Sequence, residues 1–234
     1  MTGPAPIFEG QMAFEKQLGV SLGNVGEKFS GAPEMILNTS IKYWPAEYHS
    51  QSAIEAALSL RKEIGDPAKV KSMTIESHDA SVDIIGSEPE KWKPATRETA
   101  DHSLPYITAI ALIDGEVTDK QFGRERFSHP NVWKFLENVK VERNSVLSSM
   151  YPGAVANIVH IDLVDGRRLT RRVDYPLGHA KNPLKDSEVE NKFLALVEPA
   201  IGQKRAKKIV DLAWKLDEAA NVDELMKALV MPAK

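Results

Sequence analysis

The sequence predicts an α+β domain: a mainly antiparallel sheet with helices on one face, followed by a helical C-terminal segment. Three observations predict it. Apolar and polar residues alternate over 70–77, and again over 156–164 and 168–175, which is the period of half-buried strands. Helix-period segments fall between these runs without a steady strand–helix–strand rhythm. From residue 187 onward the chain reads as helix only.

Taken in order, residues 1–10 read as irregular. A short helix over 11–18 stops at Gly19, and the glycine-bearing stretch 19–33 is a loop. Residues 35–43 read as a strand. The clearest helix spans 50–64, with Ile54, Ala57, Leu58 and Ile64 on one face and Gly65, Asp66 and Pro67 ending it. Ser52 and Glu55 have capping-box spacing at its start, with Ser50 as a competing cap. The strand over 70–77 sets Lys71, Met73 and Ile75 against Val70, Ser72 and Thr74. A loop over 86–97 carries Pro89 and Pro94. A second helix runs from 101 to 114 with Pro105 in its first turn and Gly115 closing it. A third helix covers 131–139 and a strand 140–144. A hairpin turns across Asp165-Gly166, with Val159, Ile161 and Leu163 on one face and His160 and Asp162 on the other. Helices over 187–201, 203–219 and 222–230 complete the chain.

The 234 residues are enough to bury a sizeable core. The net charge of −3 gives no basic field for nucleic acid. No apolar stretch reaches the roughly 20 residues that span a bilayer. The opening MTGPAPIFEG lacks the basic and apolar regions of a signal peptide, so the expected location is cytoplasmic and no membrane is involved. There are no cysteines, which removes disulfides, thiolate nucleophiles and cysteine-held metal centres within this chain. No HExxH is present and the six histidines are scattered, so no metal site is expected.

The stretch IKYWPAEYHSQSAIEAAL, residues 41–58, concentrates the chemistry. Pro45 biases Trp44 to an extended backbone, and a helix follows within a few residues. The first turn of a helix carries unpaired N–H groups and a partial positive charge, a ready site for a carboxylate or phosphate. Lys42 adds a full positive charge. His49 supplies the imidazole that a general base needs near neutral pH. An ordinary solvated turn accounts for the same residues, so physics alone reads this as an anion corner or a turn.

Four segments, in order, resemble the MmgE/PrpD family, which includes 2-methylcitrate dehydratases. They are KYWPAEYHSQSAIEAA at 42–57; RETADHSLPY at 97–106 with ALIDG at 111–115; YPLGHAKNPL at 175–184 with Lys192-Phe193 downstream; and Gly3-Pro4 with Phe8-Glu9-Gly10. The resemblance implies a family lid domain over 35–198, preceded by the end of a helical domain and linker over 1–34. Residues 199–234 would then be C-terminal helices that pack on that helical domain. It implies that this chain corresponds to the C-terminal half of family proteins and holds about half of an active site. A helical-domain partner chain, in a homo- or hetero-oligomer, would complete that site. It further implies a lyase of di- or tricarboxylates, as in propionate metabolism, working without metal or organic cofactor.

By resemblance, Lys42 binds a substrate carboxylate, while His49 and Glu47 move protons or order the pocket. His78, in Ser77-His78-Asp79-Ala80, also faces the site, although a satisfied strand-end histidine reads equally well. Arg97 suits a bidentate carboxylate clamp or a solvated loop. His102 suits a substrate contact or a helix-start bond to the backbone. His179 suits a basic rim or an exposed loop. His129 and His160 read as structural, and Arg167, Arg168, Arg171 and Arg172 as a solvated face. Two rival readings stay open: a non-catalytic remnant or interaction module, and a family member with epimerase or decarboxylase chemistry. The half-enzyme reading expects exposed apolar surface on 1–18 and 199–234, with Leu212, Leu216, Leu225 and Leu229 as candidates.

Overall fold

The computed structural model describes residues 38–230, together with 16, 17 and 36. The described residues from Ser40 onward form one compact unit. The expected helix over 11–18 and loop over 19–33 lie almost wholly outside the described residues.

A single four-stranded sheet organises it: β1 (Val70–Ser77), β2 (Val139–Arg143), β3 (Asn157–Leu163) and β4 (Arg168–Val173), in the spatial order β2-β1-β3-β4. β3 pairs with β1 and β4 antiparallel, so two of the three ladders match the expected direction. The third does not: β1 and β2 run parallel, with Met73 opposite Val139 and Ser77 opposite Arg143. A parallel neighbour requires a long crossover, and residues 78–138 supply it. The fold is therefore α+β with a mixed sheet.

Register places one apolar face inward. Met73, Ile75, Val159 and Ile161 are fully buried, while Thr74, His160 and Asp162 face the other side, as the alternation predicts. Helix α1 (Gln51–Ile64) lays Ile54, Ala57 and Leu60 over this face, and α2 (Leu104–Asp114) lies beside it. Every residue of α2 from Leu104 to Leu112 is buried. A helix apolar all round belongs in the middle of a core, and α3 (Pro130–Leu136) covers its far side.

Several boundaries differ from the sequence reading, each for a local reason. Helix α2 starts at Leu104, because Ser103 caps it by accepting from the Tyr106 N–H; Pro105 does sit in its first turn, and Arg97–Asp101 form a separate short helix. The Ser52–Glu55 capping box does not form. The Ser52 hydroxyl donates to the Val155 carbonyl, and the Glu55 carboxylate accepts from the Leu177 N–H. Residues 38–43 are not a strand. Their polar groups are taken by other partners: the Ile41 N–H by the Gly178 carbonyl and the Lys42 carbonyl by the Lys192 ammonium.

After α4 (Ser145–Met150) and the hairpin, the chain ends in α5 (Asp186–Ile201), α6 (Gln203–Ala213) and α7 (Asp223–Leu229). Helix α6 stops earlier than residue 219, and Trp214 beyond it donates its indole N–H to Glu190 on α5 at 2.8 Å. Leu216 and Leu229 are exposed, as are Trp214, Val222 and Met226, whereas Leu212 and Leu225 are half-buried and line a shallow depression of about 290 Å³. Among the described residues no helix is long and apolar enough to cross a membrane.

The Gly178–Ile41 contact is close enough to test. Gly178 has φ +91°, and a Cβ there would fall 1.9 Å from the Ile41 carbonyl oxygen. Gly178→Ala therefore pays both a left-handed backbone strain and a clash. Urea unfolding should show a loss of about 2–4 kcal/mol with unchanged m-value.

Candidate functional site

The segment leading into α1 is folded on itself. Gln51 reaches back seven residues, accepting from the Trp44 N–H at 3.1 Å and donating to the Trp44 and Ala46 carbonyls. The Glu47 N–H donates to the Asp101 carbonyl at 2.9 Å, which ties this corner to the Arg97–Asp101 helix. The Glu47 carboxylate accepts from the His49 N–H at 2.7 Å, and its other oxygen lies 3.8 Å from His49 Nε2. Asn157, the first residue of β3, donates to the His49 carbonyl at 2.8 Å and to the Ser52 hydroxyl at 2.7 Å.

His49 meets His78 at the end of β1. Both rings are buried, with centroids 4.9 Å apart in an edge-to-face arrangement. His78 Nδ1 accepts from the Ser81 N–H at 3.3 Å. In the neutral ring the proton then resides on Nε2. That Nε2, like His49 Nδ1, is buried without a hydrogen-bond partner among the described residues. Buried polar atoms are normally paired; the Ser77 and Ser81 hydroxyls and Asn157 Oδ1 are likewise without a partner among the described residues. Burial, reinforced by the neighbouring His49 ring, pushes the His78 pKa down to about 4. His78 is thus a neutral N–H donor at pH 7, the form that polarises an oxygen without carrying charge. Tyr151, just past α4, stacks on His78 at 4.6 Å and 13° and lies 5.6 Å from His49.

Lys42 is exposed, at the edge of the same segment. Lys192 on α5 donates to the Lys42 carbonyl, and burial together with the Lys42 charge lowers its pKa. The 175–184 loop packs here through the Gly178 bond to Ile41. Within it, His179 Nδ1 accepts from the Lys181 N–H at 3.0 Å, and burial plus the Lys181 charge lowers the His179 pKa. Lys181 lies 4.8 Å over the Tyr175 ring.

The structure therefore brings Glu47, His49 and His78 into one cluster and sets Lys42 beside Lys192. Arg97 is drawn elsewhere, pairing with Asp119 at 2.5 Å on the exposed surface. His102 is exposed, with Nδ1 2.6 Å from Asp101, and borders the corner only through the Asp101 backbone. Among the described residues no three His, Asp or Glu side chains are placed to hold a metal.

Sequence reasoning assigned no role to Tyr151, Asn157, Gln51 or Lys192, although Gln51 and Lys192 stand within the segments that carry the resemblance. Asn157 had a readable signal: it shares the inward parity of Val159, Ile161 and Leu163, so a polar side chain there had to serve a buried partner. Gln51 and Ser52 stand likewise on the buried side of α1. Tyr151 had none, because its role depends on where β2 and α4 place the chain end.

A four-stranded mixed sheet with helices on its apolar face, a helical tail, and a histidine corner at the strand ends define an α+β domain. This chain belongs to the MmgE/PrpD family: residues 44–218 match the MmgE/PrpD C-terminal domain. It is 29% identical over 147 residues to 2-methylcitrate dehydratase of Escherichia coli K12, covering 59% of this chain and 30% of that protein. It is 30% identical over 145 residues to the mitochondrial 2-methylcitrate dehydratase of Yarrowia lipolytica, covering 58% and 27%. It is 24% identical over 201 residues to cis-aconitate decarboxylase of Mus musculus, covering 84% and 40%. The chain thus spans about a third of the length of the curated relatives it matches.

His78 makes stability depend on pH. Its folded pKa of about 4 lies below the ordinary 6.5, so the unfolded chain binds the proton first. The stability from neutral His78 is complete above pH 6.5 and is lost as pH falls towards 4, by about 2–3 kcal/mol. His78→Asn keeps a cap for Ser81 and removes the titration. Urea unfolding from pH 7 to 4 should show a shallower fall in the variant than in the wild type.

Proposed function

We propose that this chain is the lid half of a cofactor-independent hydro-lyase that dehydrates 2-methylcitrate or citrate in the cytoplasm. A helical-domain partner chain completes the site. The observation that carries this reading is the buried His49–His78 pair, each ring with one nitrogen unpaired among the described residues, beside the Glu47 carboxylate.

Dehydration breaks a C–H bond next to a carboxylate and a C–O bond on the neighbouring carbon, forms C=C, and releases water. It needs a base for the proton, a donor for the leaving oxygen, and cations for the carboxylates. His49, backed by Glu47, is the proton-transfer group. His78 donates its Nε2–H to a substrate oxygen. Lys42 holds a carboxylate at the exposed rim, and His179 contributes to that rim. Arg97 and His102 have no direct part, since their side chains are engaged with Asp119 and Asp101. The exposed apolar side chains of the C-terminal helices, Leu216, Met226 and Leu229 among them, support a partner.

A second reading, decarboxylation of cis-aconitate, is favoured by the longer matches. The decarboxylases of Mus musculus and Aspergillus terreus cover 84% and 71% of this chain, against 59% for the Escherichia coli dehydratase.

The test is to purify the tagged chain from its own cells, identify what accompanies it by intact mass, and assay 2-methylcitrate, citrate and cis-aconitate. A helical chain should co-purify and 2-methylcitrate or citrate should lose water. His49→Ala should lower kcat by about 10²–10⁴-fold, and Lys42→Met should chiefly raise KM. Unchanged turnover in either variant removes that residue from the site. Turnover of cis-aconitate alone supports the decarboxylase reading. A chain that comes down alone and turns over none of the three is a non-catalytic module.

A further inference from the structure

The segment between β2 and β3 is tied down as if to deliver one side chain. Asn144 accepts from the Val146 and Leu147 N–H groups, capping α4, and its own N–H donates to the Ser77 carbonyl at the end of β1. Its side-chain amide also donates to Glu76. Ser148 on α4 accepts from the Asp79 N–H at 3.0 Å. On the far side, Asn157 holds the His49 carbonyl. These bonds fix both ends of a short excursion to the residues that carry the two imidazoles. At its turn stands Tyr151.

We propose that Tyr151 is a positioning residue for the His49–His78 pair, its ring forming the solvent-side cover that keeps His78 oriented and dry. Tyr151 stacks near-parallel on one face of the His78 ring, and His78 has no exposed surface while Tyr151 itself remains 40% exposed. The 5.6 Å contact with His49 extends the same cover over the second ring. A stacked ring supplies apolar contact on the imidazole face and leaves the edge, with its Nε2–H, unengaged. Tyr151 thus excludes water from a donor that a substrate oxygen needs free. The role in turnover rests on His78 serving the acid–base site proposed above.

The readout is the titration of the His78 ring, followed by NMR on the full chain. The charged or titratable groups around it are His49, with Glu47 behind it, Asp79, whose carboxylate pairs with Arg143, and Tyr151. Tyr151→Phe keeps the ring and should leave the His78 pKa near 4. Tyr151→Ala uncovers the imidazole and should raise it by about one unit or more towards its ordinary value. Tyr151→Val serves if the alanine variant does not fold by circular dichroism. A folded alanine or valine variant whose His78 still titrates near 4 overturns the proposal, as does a phenylalanine variant that shifts as far as alanine. This titration needs no substrate. Its failure is therefore distinct from a failure of His49→Ala to lower turnover, which would remove the acid–base site and leave the shielding intact.

Discussion

Residues 41–50 lie outside the sheet and enter α1 only through the 3-10 turn Tyr48–Ser50, so their backbone polar groups must find partners elsewhere. That requirement shapes the site. Gly178 takes the Ile41 N–H, Lys192 the Lys42 carbonyl, Gln51 both polar groups of Trp44, Asp101 the Glu47 N–H, and Asn157 the His49 carbonyl. Each partner belongs to a different stretch of chain. Meeting the hydrogen-bond needs of one irregular segment therefore gathers the loop, the short helix, α5 and β3 around it. A strand here would have satisfied itself through a ladder and drawn nothing in.

This also explains what was legible in the sequence. Elements governed by their own pattern could be read: β1, the hairpin and its inward parity, the run of α1, and the glycine ends at Gly65 and Gly115. Elements governed by distant partners could not. Residues 35–43 have strand-like composition, yet from 38 to 43 no neighbouring strand receives them. The parallel ladder between β1 and β2 leaves no local trace, because direction is set by the route of residues 78–138. Glu47, His49 and His78 were recognisable by resemblance and do converge. Arg97 was chosen for its chemistry, but an acidic neighbour, Asp119, had already claimed it.

The electrostatics of the corner divide between rim and interior. Lys42 stays in water, where its charge meets an approaching anion over a Debye length of about 8 Å. His78 sits where charge is costly and remains neutral. Burial and the Lys42 charge lower the Lys192 pKa, and burial and the His49 ring lower that of His78.

The sheet order has a consequence for how the chain is made. β1 is a central strand, and Met73 pairs with Val139 on one side and Ile161 on the other. Neither neighbour exists until long after β1 leaves the ribosome. For that interval the apolar face of β1 can be covered by α1 and by crossover helices such as α2, but its strand edges stay unpaired. Contacts so distant in sequence make folding slow and leave strand edges open to misassembly. The segment from β2 to Asn157, the first residue of β3, also carries Tyr151 and the bond that fixes His49. The histidine corner thus draws on partners that follow β1 in the chain, from Tyr151 and Asn157 to Gly178 and Lys192, and a chain arrested before them lacks the bonds that hold it.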